Sequence, residues 1–327
     1  SEVDLLIEAV YENLELKKEL FRLFNNHIKD DAIIATNTSG LDVNEIASVT
    51  TKPENVLGIH FFNPANVMKA VEVVQADKSS HKAILTGMSL CKQMGKVPIL
   101  VGNCDGFIAN RMFRKYFEES LRIVFQGASI VQIDKIMQNF GFPMGPFVLN
   151  DLTGINLSWD MIQERLKTNP LLKDSSEYAL FETLISEKRF GQRSGKGFYS
   201  YKLPSRKPFD DVYVQDLIKN IAEEKGIRES SFNQSDIEKL ILYPLINEGS
   251  KILQEKMALR SSDIDVLCIY AYGFPPFRCG PMYYADQIGI NHIVSDLKLF
   301  EDKYGPSFSP SDLMLDLASR NKRFSDL

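Results

Sequence analysis

Along its first hundred residues the chain alternates short apolar bursts with stretches in which apolar residues recur every three or four positions. The bursts fall at residues 3–10, 32–36, 56–62, 68–74 and 97–101. Each is rich in Val, Ile and Leu and nearly continuous, which predicts strands covered on both faces. Between them, residues 14–27 predict a helix with Leu16, Leu20 and Leu23 on one side. Residues 42–45 resemble a capped helix start, and 81–94 predict a third helix. Strand–helix alternation of this kind predicts a mostly parallel sheet with helices on its faces.

After Asp105 the period changes. Phe107, Ile108, Met112, Phe113, Phe117, Leu121, Val124 and Phe125 recur at helical spacing, and Gly127 can end that helix. Ser129 and Gln132 form a capping box for the next one. The pattern then stays helical, apart from a Gly-rich turn at 189–199 and a polar segment at 202–211 that reads as a linker. Beyond it the sequence repeats itself. Glu119, Asp134, the run GFPMGP and Asp151 have counterparts in Glu248, Asp265, the run GFPPFRCGP and Asp286. Two related helical units in one chain are expected to pack as an internal pseudo-dimer. The predicted fold class is therefore α/β followed by all-α: residues 1–104, 105–202 as a first helical domain, and 203–327 as a second copy.

Within residues 1–104 one expected part is absent. A doubly wound dinucleotide-binding domain carries a G-x-G-x-x-G phosphate turn after its first strand, and no strand here is followed by one. The chain also opens almost on a strand. The expectation is the C-terminal half of such a (Rossmann-type) domain, in a fragment that starts part-way through it.

Bulk properties narrow the partners. The 327 residues are 44% hydrophobic with a net charge of -5, which fits a globular chain and offers no basic excess for nucleic acid. No apolar run approaches the roughly 18–20 residues of a membrane span, and no leader pattern opens the chain. Cys91, Cys104, Cys268 and Cys279 lack metal-ligand spacing, so no metal site is expected and a reducing compartment fits them.

Two ionisable residues interrupt the apolar runs, His60 in one and Glu72 in the next. Burying either without a partner costs several kcal/mol, of order 2–7. If the two strands are neighbours, Glu72 can orient the imidazole and make His60 a better base; otherwise Glu72 sits on an exposed edge strand and His60 is a core residue. Residues 36–39 end a strand before a helix, so their hydroxyls either cap that helix or reach a ligand. Glu12 and Lys17 lie at the rim after the first strand, as cofactor contacts or as a solvated helix start. Asn110 lies one turn into an apolar helix, beside Arg111. His27, His81 and His292 sit at polar positions and are expected at the surface.

The stretches IEAVYENLELKKELF, ATNTSGL, GIHFFNPANVMKAVEVV, DGFIANR, GFPMGPF and RSGKGFYSY, in this order, together resemble the 3-hydroxyacyl-CoA dehydrogenase family. The second copy, with YGFPPFRCGPMYYADQIG, resembles the C-terminal part of the multifunctional β-oxidation enzymes of peroxisomal or bacterial type, in which a hydratase domain precedes the dehydrogenase. This resemblance implies NAD-dependent oxidation of (3S)-3-hydroxyacyl-CoA to 3-oxoacyl-CoA. It makes His60 the catalytic base and Glu72 the carboxylate that orients it. Ser39 and Asn110 match positions that hold the substrate oxygen. Glu12, Lys17, Ser39 and Asn63 match positions lining the NAD site, and Arg193 falls where a basic residue occurs near the cofactor.

Departures from the family pattern carry their own expectations. Without the phosphate turn and the acidic residue that reads the ribose, the chain as given is expected to bind NAD weakly or not at all. Gly40 stands where serine is frequent, a minor change beside Ser39. The last residues are Ser325-Asp-Leu327, whereas a peroxisomal address reads Ser-Lys-Leu; the expected compartment is the peroxisome or the cytosol. An acyl-CoA partner and a monomeric chain complete the reading. A sugar-acid (gulonate-type) dehydrogenase and a non-catalytic scaffold are the alternatives.

Overall fold

The computed structural model describes residues 3–327. The chain divides into two compact units, one of residues 1–114 with 243–327 and one of residues 115–242.

In the first unit five strands form one sheet in chain order: β1 (Leu5–Glu8), β2 (Ile33–Thr36), β3 (Val56–Phe61), β4 (Ala70–Gln75) and β5 (Val97–Gly102). The pairs β1–β2, β2–β3 and β4–β5 are parallel; β3 and β4 run antiparallel. Helix α1 (Leu14–Phe24) joins β1 to β2, α2 (Val43–Ala47) joins β2 to β3, and α3 (His81–Gln93) joins β4 to β5. Asn13, Asp42 and Ser80 cap these helices, each accepting a backbone N–H of the first turn. The core gathers Ile33, Ala35, Leu57, Ile59, Val71 and Val73 beneath Ala83 and Cys91 of α3. Each large aliphatic side chain buried there contributes about 1.5–3 kcal/mol. Gly87 lets α3 settle on the sheet, since a Cβ at that position would lie 2.6 Å from Leu57.

Helix α1 turns a different face inward from the one its leucines predict. Leu16 and Leu23 are exposed, whereas Phe21 and Lys17 are buried. An aromatic ring and a paired ammonium set the stripe, and hydrophobicity alone does not reveal a lysine that has a buried partner.

Helices supply the rest: α4 (Ala109–Phe125), α5 (Ile130–Phe140), α6 (Pro146–Thr153), α7 (Ile155–Thr168) and α8 (Ser176–Ser186). Two short strands follow, β6 (Ser200–Tyr201) and β7 (Pro208–Phe209), then α9 (Val212–Glu224) and α10 (Gln234–Gln254). The chain ends with α11 (Ser261–Tyr272), α12 (Pro281–Ile288), α13 (Ile290–Tyr304) and α14 (Asp312–Ser319). The expected architecture, a largely parallel sheet followed by helices, is the one observed. The segment 202–211 is more ordered than a linker: β6 pairs with β7, and Asp211 both caps α9 and holds Arg189.

The sequence repeat recurs in bond geometry. Asp134 on α5 accepts from the N–H groups of Phe147 (3.0 Å) and Val148 (3.1 Å) at the start of α6. Asp265 on α11 accepts from Met282 (2.7 Å) and Tyr283 (3.2 Å) at the start of α12. Burial pushes both carboxyls up to about 7. Gly145 and Gly280 make room for them, because a Cβ at either glycine would lie within 2.4 Å of the aspartate. That contact explains the Gly-Pro pair in each copy, with proline at the first helical position. Asp151 and Asp286 likewise accept from Phe198 and Tyr199, and from Phe324 and Ser325.

Candidate active site

His60 and Glu72 are direct cross-strand partners in the β3–β4 ladder. Opposed residues of an antiparallel pair project from the same face, and His60 Nδ1 lies 2.8 Å from Glu72 Oε2. Glu72 is fully buried, and the exposed-edge reading does not apply because β4 is flanked by β3 and β5. Its second oxygen, Oε1, accepts from the N–H groups of Ile108 and Ala109, both at 2.9 Å, at the entry to α4. An N-terminal helix turn favours negative charge.

The DGF sequence shapes that entry. Gly106 has φ +69° and Phe107 φ +49°, so two successive residues take the left-handed region. Glycine does so freely; for Phe107 it costs of order 1–3 kcal/mol. The turn aims two N–H groups at Glu72 and brings the buried Phe107 ring to 5.9 Å from the imidazole, with Phe62 at 4.6 Å on the same ring.

The proton inventory assigns a tautomer. Ionised Glu72 can only accept, so Nδ1 of the neutral imidazole must donate and Nε2 keeps its lone pair. Nε2 has no hydrogen-bond partner among the described residues. The site thus presents one buried, oriented proton acceptor.

A second cluster forms beyond β1 and β2. Glu12 Oε1 accepts from the Ser39 N–H (2.6 Å), the Ser39 hydroxyl (2.9 Å) and the Thr38 hydroxyl (2.7 Å). Lys17 is completely buried, which corrects the solvated helix start. Its ammonium lies 2.8 Å from Glu8 and 3.5 Å from Glu12, and Thr36 donates to the other Glu8 oxygen. Asn110 donates from Nδ2 to the Ser39 carbonyl at 2.9 Å. Residues 108–110 therefore join both clusters, through Glu72 on one side and Ser39 on the other.

Sequence reasoning missed several parts of this site. Glu8 interrupts an apolar strand as Glu72 does, and that signal could have found it. Asn37, whose Oδ1 accepts from the Phe61 N–H at 2.9 Å, ties the end of β2 to the end of β3. Asn63 is exposed just beyond β3, with no hydrogen bond to either cluster among the described residues. Arg193 is exposed on a short turn of the other compact unit.

The Lys17–Glu8 pair has a measurable consequence. Lys17→Ala leaves a buried carboxylate without its cation and is expected to lower stability by about 3–5 kcal/mol. Urea unfolding checks this; a loss below about 1 kcal/mol would show that Glu8 is neutral or hydrated.

Residues 1–104 match the family model described as 3-hydroxyacyl-CoA dehydrogenase, NAD binding domain, and residues 106–201 match its C-terminal domain. The chain belongs to the 3-hydroxyacyl-CoA dehydrogenase family. Among its relatives is the peroxisomal bifunctional enzyme of Danio rerio, 39% identical over 98% of this chain and 46% of that protein. Another is the fatty acid oxidation complex subunit alpha of Ectopseudomonas oleovorans, 36% identical over 98% of this chain and 45% of that protein. The chain spans about half the length of these curated relatives. The crystal structure of the dehydrogenase part of multifunctional enzyme 1 from C. elegans is 34% identical and superposes with a TM-score of 0.68 over 97% of this chain and 72% of that one. The 3-hydroxybutyryl-CoA dehydrogenase of Escherichia coli, 24% identical, shares the fold with a TM-score of 0.80 over 97% of this chain and 82% of that one.

Membership in the dehydrogenase family agrees with the ordered motifs in residues 3–202. Among the described residues, no helix is long and apolar enough to cross a membrane.

Proposed function

We propose that the protein carrying this chain oxidises (3S)-3-hydroxyacyl-CoA to 3-oxoacyl-CoA with NAD in fatty acid β-oxidation, in the peroxisome or the cytosol. The observation that carries the reading is the buried His60–Glu72 pair, with Glu72 braced on the first turn of α4. His60 Nε2 accepts the proton of the substrate 3-hydroxyl. Glu72 offsets the charge that develops on the imidazole and keeps the ring in place. The Ser39 hydroxyl can donate to that substrate oxygen by turning its proton away from Glu12, and the second N–H of the Asn110 amide can donate to the same oxygen. The Asn110 amide, already held on the Ser39 carbonyl, needs little rearrangement as charge shifts.

The ends of β1, β2 and β3 point the same way, as a nucleotide crevice requires. Glu12, Ser39 and Asn63 lie beyond those ends and fit the nicotinamide half of NAD, with Lys17 acting through Glu12. Arg193 is assigned to the cofactor on the family pattern. The 327 residues contain no G-x-G-x-x-G, so they offer no phosphate turn of that kind. When bound, NAD supplies the hydride acceptor. The second helical copy is assigned the place of a partner subunit, so light scattering is expected to find a monomer.

Substrate comparison tests the reading. With NAD present, NADH formation from 3-hydroxybutyryl-CoA is expected to exceed that from gulonate. Preference for gulonate, or no turnover of the thioester, would overturn it.

A further inference from the structure

Residues 102–111, from the last residue of β5 into the first turn of α4, carry most of the preorganisation at this site. They provide both N–H groups on Glu72 and the Asn110 amide on Ser39. The segment is gripped at its two ends by residues around the end of α10, in the same compact unit. At one end the Gly102 N–H donates to the Met257 carbonyl at 2.8 Å, and Val101 bridges Ala258. A Cβ on Gly102 would lie 3.1 Å from the Met257 Cα and 2.7 Å from its sulfur, so glycine suits this close approach.

At the other end stands Arg111, in the first turn of α4. Its Nε donates to Glu248, and its terminal nitrogens both donate to Glu255, Nη2 at 2.9 Å. Gly249, next to Glu248, faces both helices: a Cβ there would lie 3.3 Å from the Met112 methyl on α4 and 2.5 Å from the Met282 sulfur on α12. The Arg111 side chain is 13% exposed, so these two carboxylates occupy a guanidinium that is mostly withdrawn from water. A planar fork held by two carboxylates fixes direction as well as distance. Rotation of α4 about its axis would carry the Ile108 and Ala109 N–H groups off Glu72 and the Asn110 amide off Ser39 together.

We infer that Arg111, Glu248 and Glu255 are positioning residues, through which the second helical copy sets the rotation of α4 and so aligns Glu72 on His60. The copy is then part of the reaction centre's support, beyond its role in assembly. This inference rests on the proposed dehydrogenase activity only where turnover is measured.

The experiment uses the whole protein that carries this chain, with Glu248→Gln plus Glu255→Gln, and with Glu255→Gln alone. Loss of alignment is expected to lower kcat roughly ten- to hundredfold, with KM for NAD little changed. Arg111→Lys, which keeps one charged contact, is expected to retain an intermediate rate. Nitrogen-15 NMR of the neutral His60 ring supplies a readout independent of turnover. The parent chain should show the Nδ1–H tautomer alone, and the double variant a mixture of both tautomers. Inactivity on acyl-CoA of the whole protein that carries this chain would defeat the functional reading, whereas the NMR comparison would still decide the positioning role. Unchanged kcat with a single tautomer in the folded double variant overturns the inference, even if its melting temperature falls. Should the double variant fail to fold, the half-exposed Glu255→Gln decides by the same two readouts.

Discussion

Replacing His60 with glutamine is expected to lower kcat for 3-hydroxyacyl-CoA oxidation by about 10²–10⁴-fold, the range that one positioned general base supplies. No other histidine can take over, because His27, His81 and His292 are all exposed outside the cluster. Glutamine occupies a similar volume and can still bond to Glu72, so the buried carboxylate keeps a partner and the fold should survive. NADH affinity, read by fluorescence titration, is expected to stay near that of the parent chain. Stopped-flow measurement of NADH formation gives the rate. A variant that turns over normally would remove His60 from the mechanism.

The second large effect falls on Glu72. In Glu72→Gln the shape is kept and the proton inventory changes. The amide oxygen settles toward the Ile108 and Ala109 N–H groups, since an NH₂ there would face two donors. The NH₂ then faces His60 and donates to Nδ1, which moves the ring proton to Nε2. A protonated Nε2 cannot accept the substrate proton, and kcat is expected to fall about 10³–10⁴-fold, the cost of a wrong tautomer at a buried carboxylate–histidine pair. Glu72→Ala differs in kind: it orphans two backbone donors at about 1–3 kcal/mol each and opens a void besides. Parallel kinetics and urea unfolding separate the two variants. Wild-type kcat in a folded Glu72→Gln protein would show that the carboxylate only fills space.

Much of this was legible from residue types. A histidine or a glutamate within a run of valines and isoleucines stands out, because burial without a partner is costly. Strand direction was harder to see. Residues 62–69 link β3 to β4, too short a connection for the dozen or more residues of a parallel crossover. That length predicts the antiparallel pairing that sets His60 directly opposite Glu72, although residue type alone does not show it. The repeat was legible as Gly-Pro spacing, and its cause, an aspartate accepting helix N–H groups, required coordinates.

Backbone donors and ion pairs between separate elements account for the rest. The N–H groups on Glu72 belong to Ile108 and Ala109, whose side chains carry no trace of that duty; only the preceding Asp105-Gly106-Phe107 hints at a forced turn. Lys17 looked solvated because its partner Glu8 lies on another element, nine residues away. Arg111 and its carboxylates are separated by 137 and 144 positions, a distance over which one sequence gives no pairing information.

Crystallography of the protein with NADH and acetoacetyl-CoA bound tests the central claim most directly. The account predicts the C3 oxygen of the thioester within about 2.6–3.2 Å of His60 Nε2, a hydrogen-bonding reach, with Glu72 still on Nδ1. A bound thioester whose C3 oxygen faces away from Nε2, or an imidazole swung off Glu72, would contradict it.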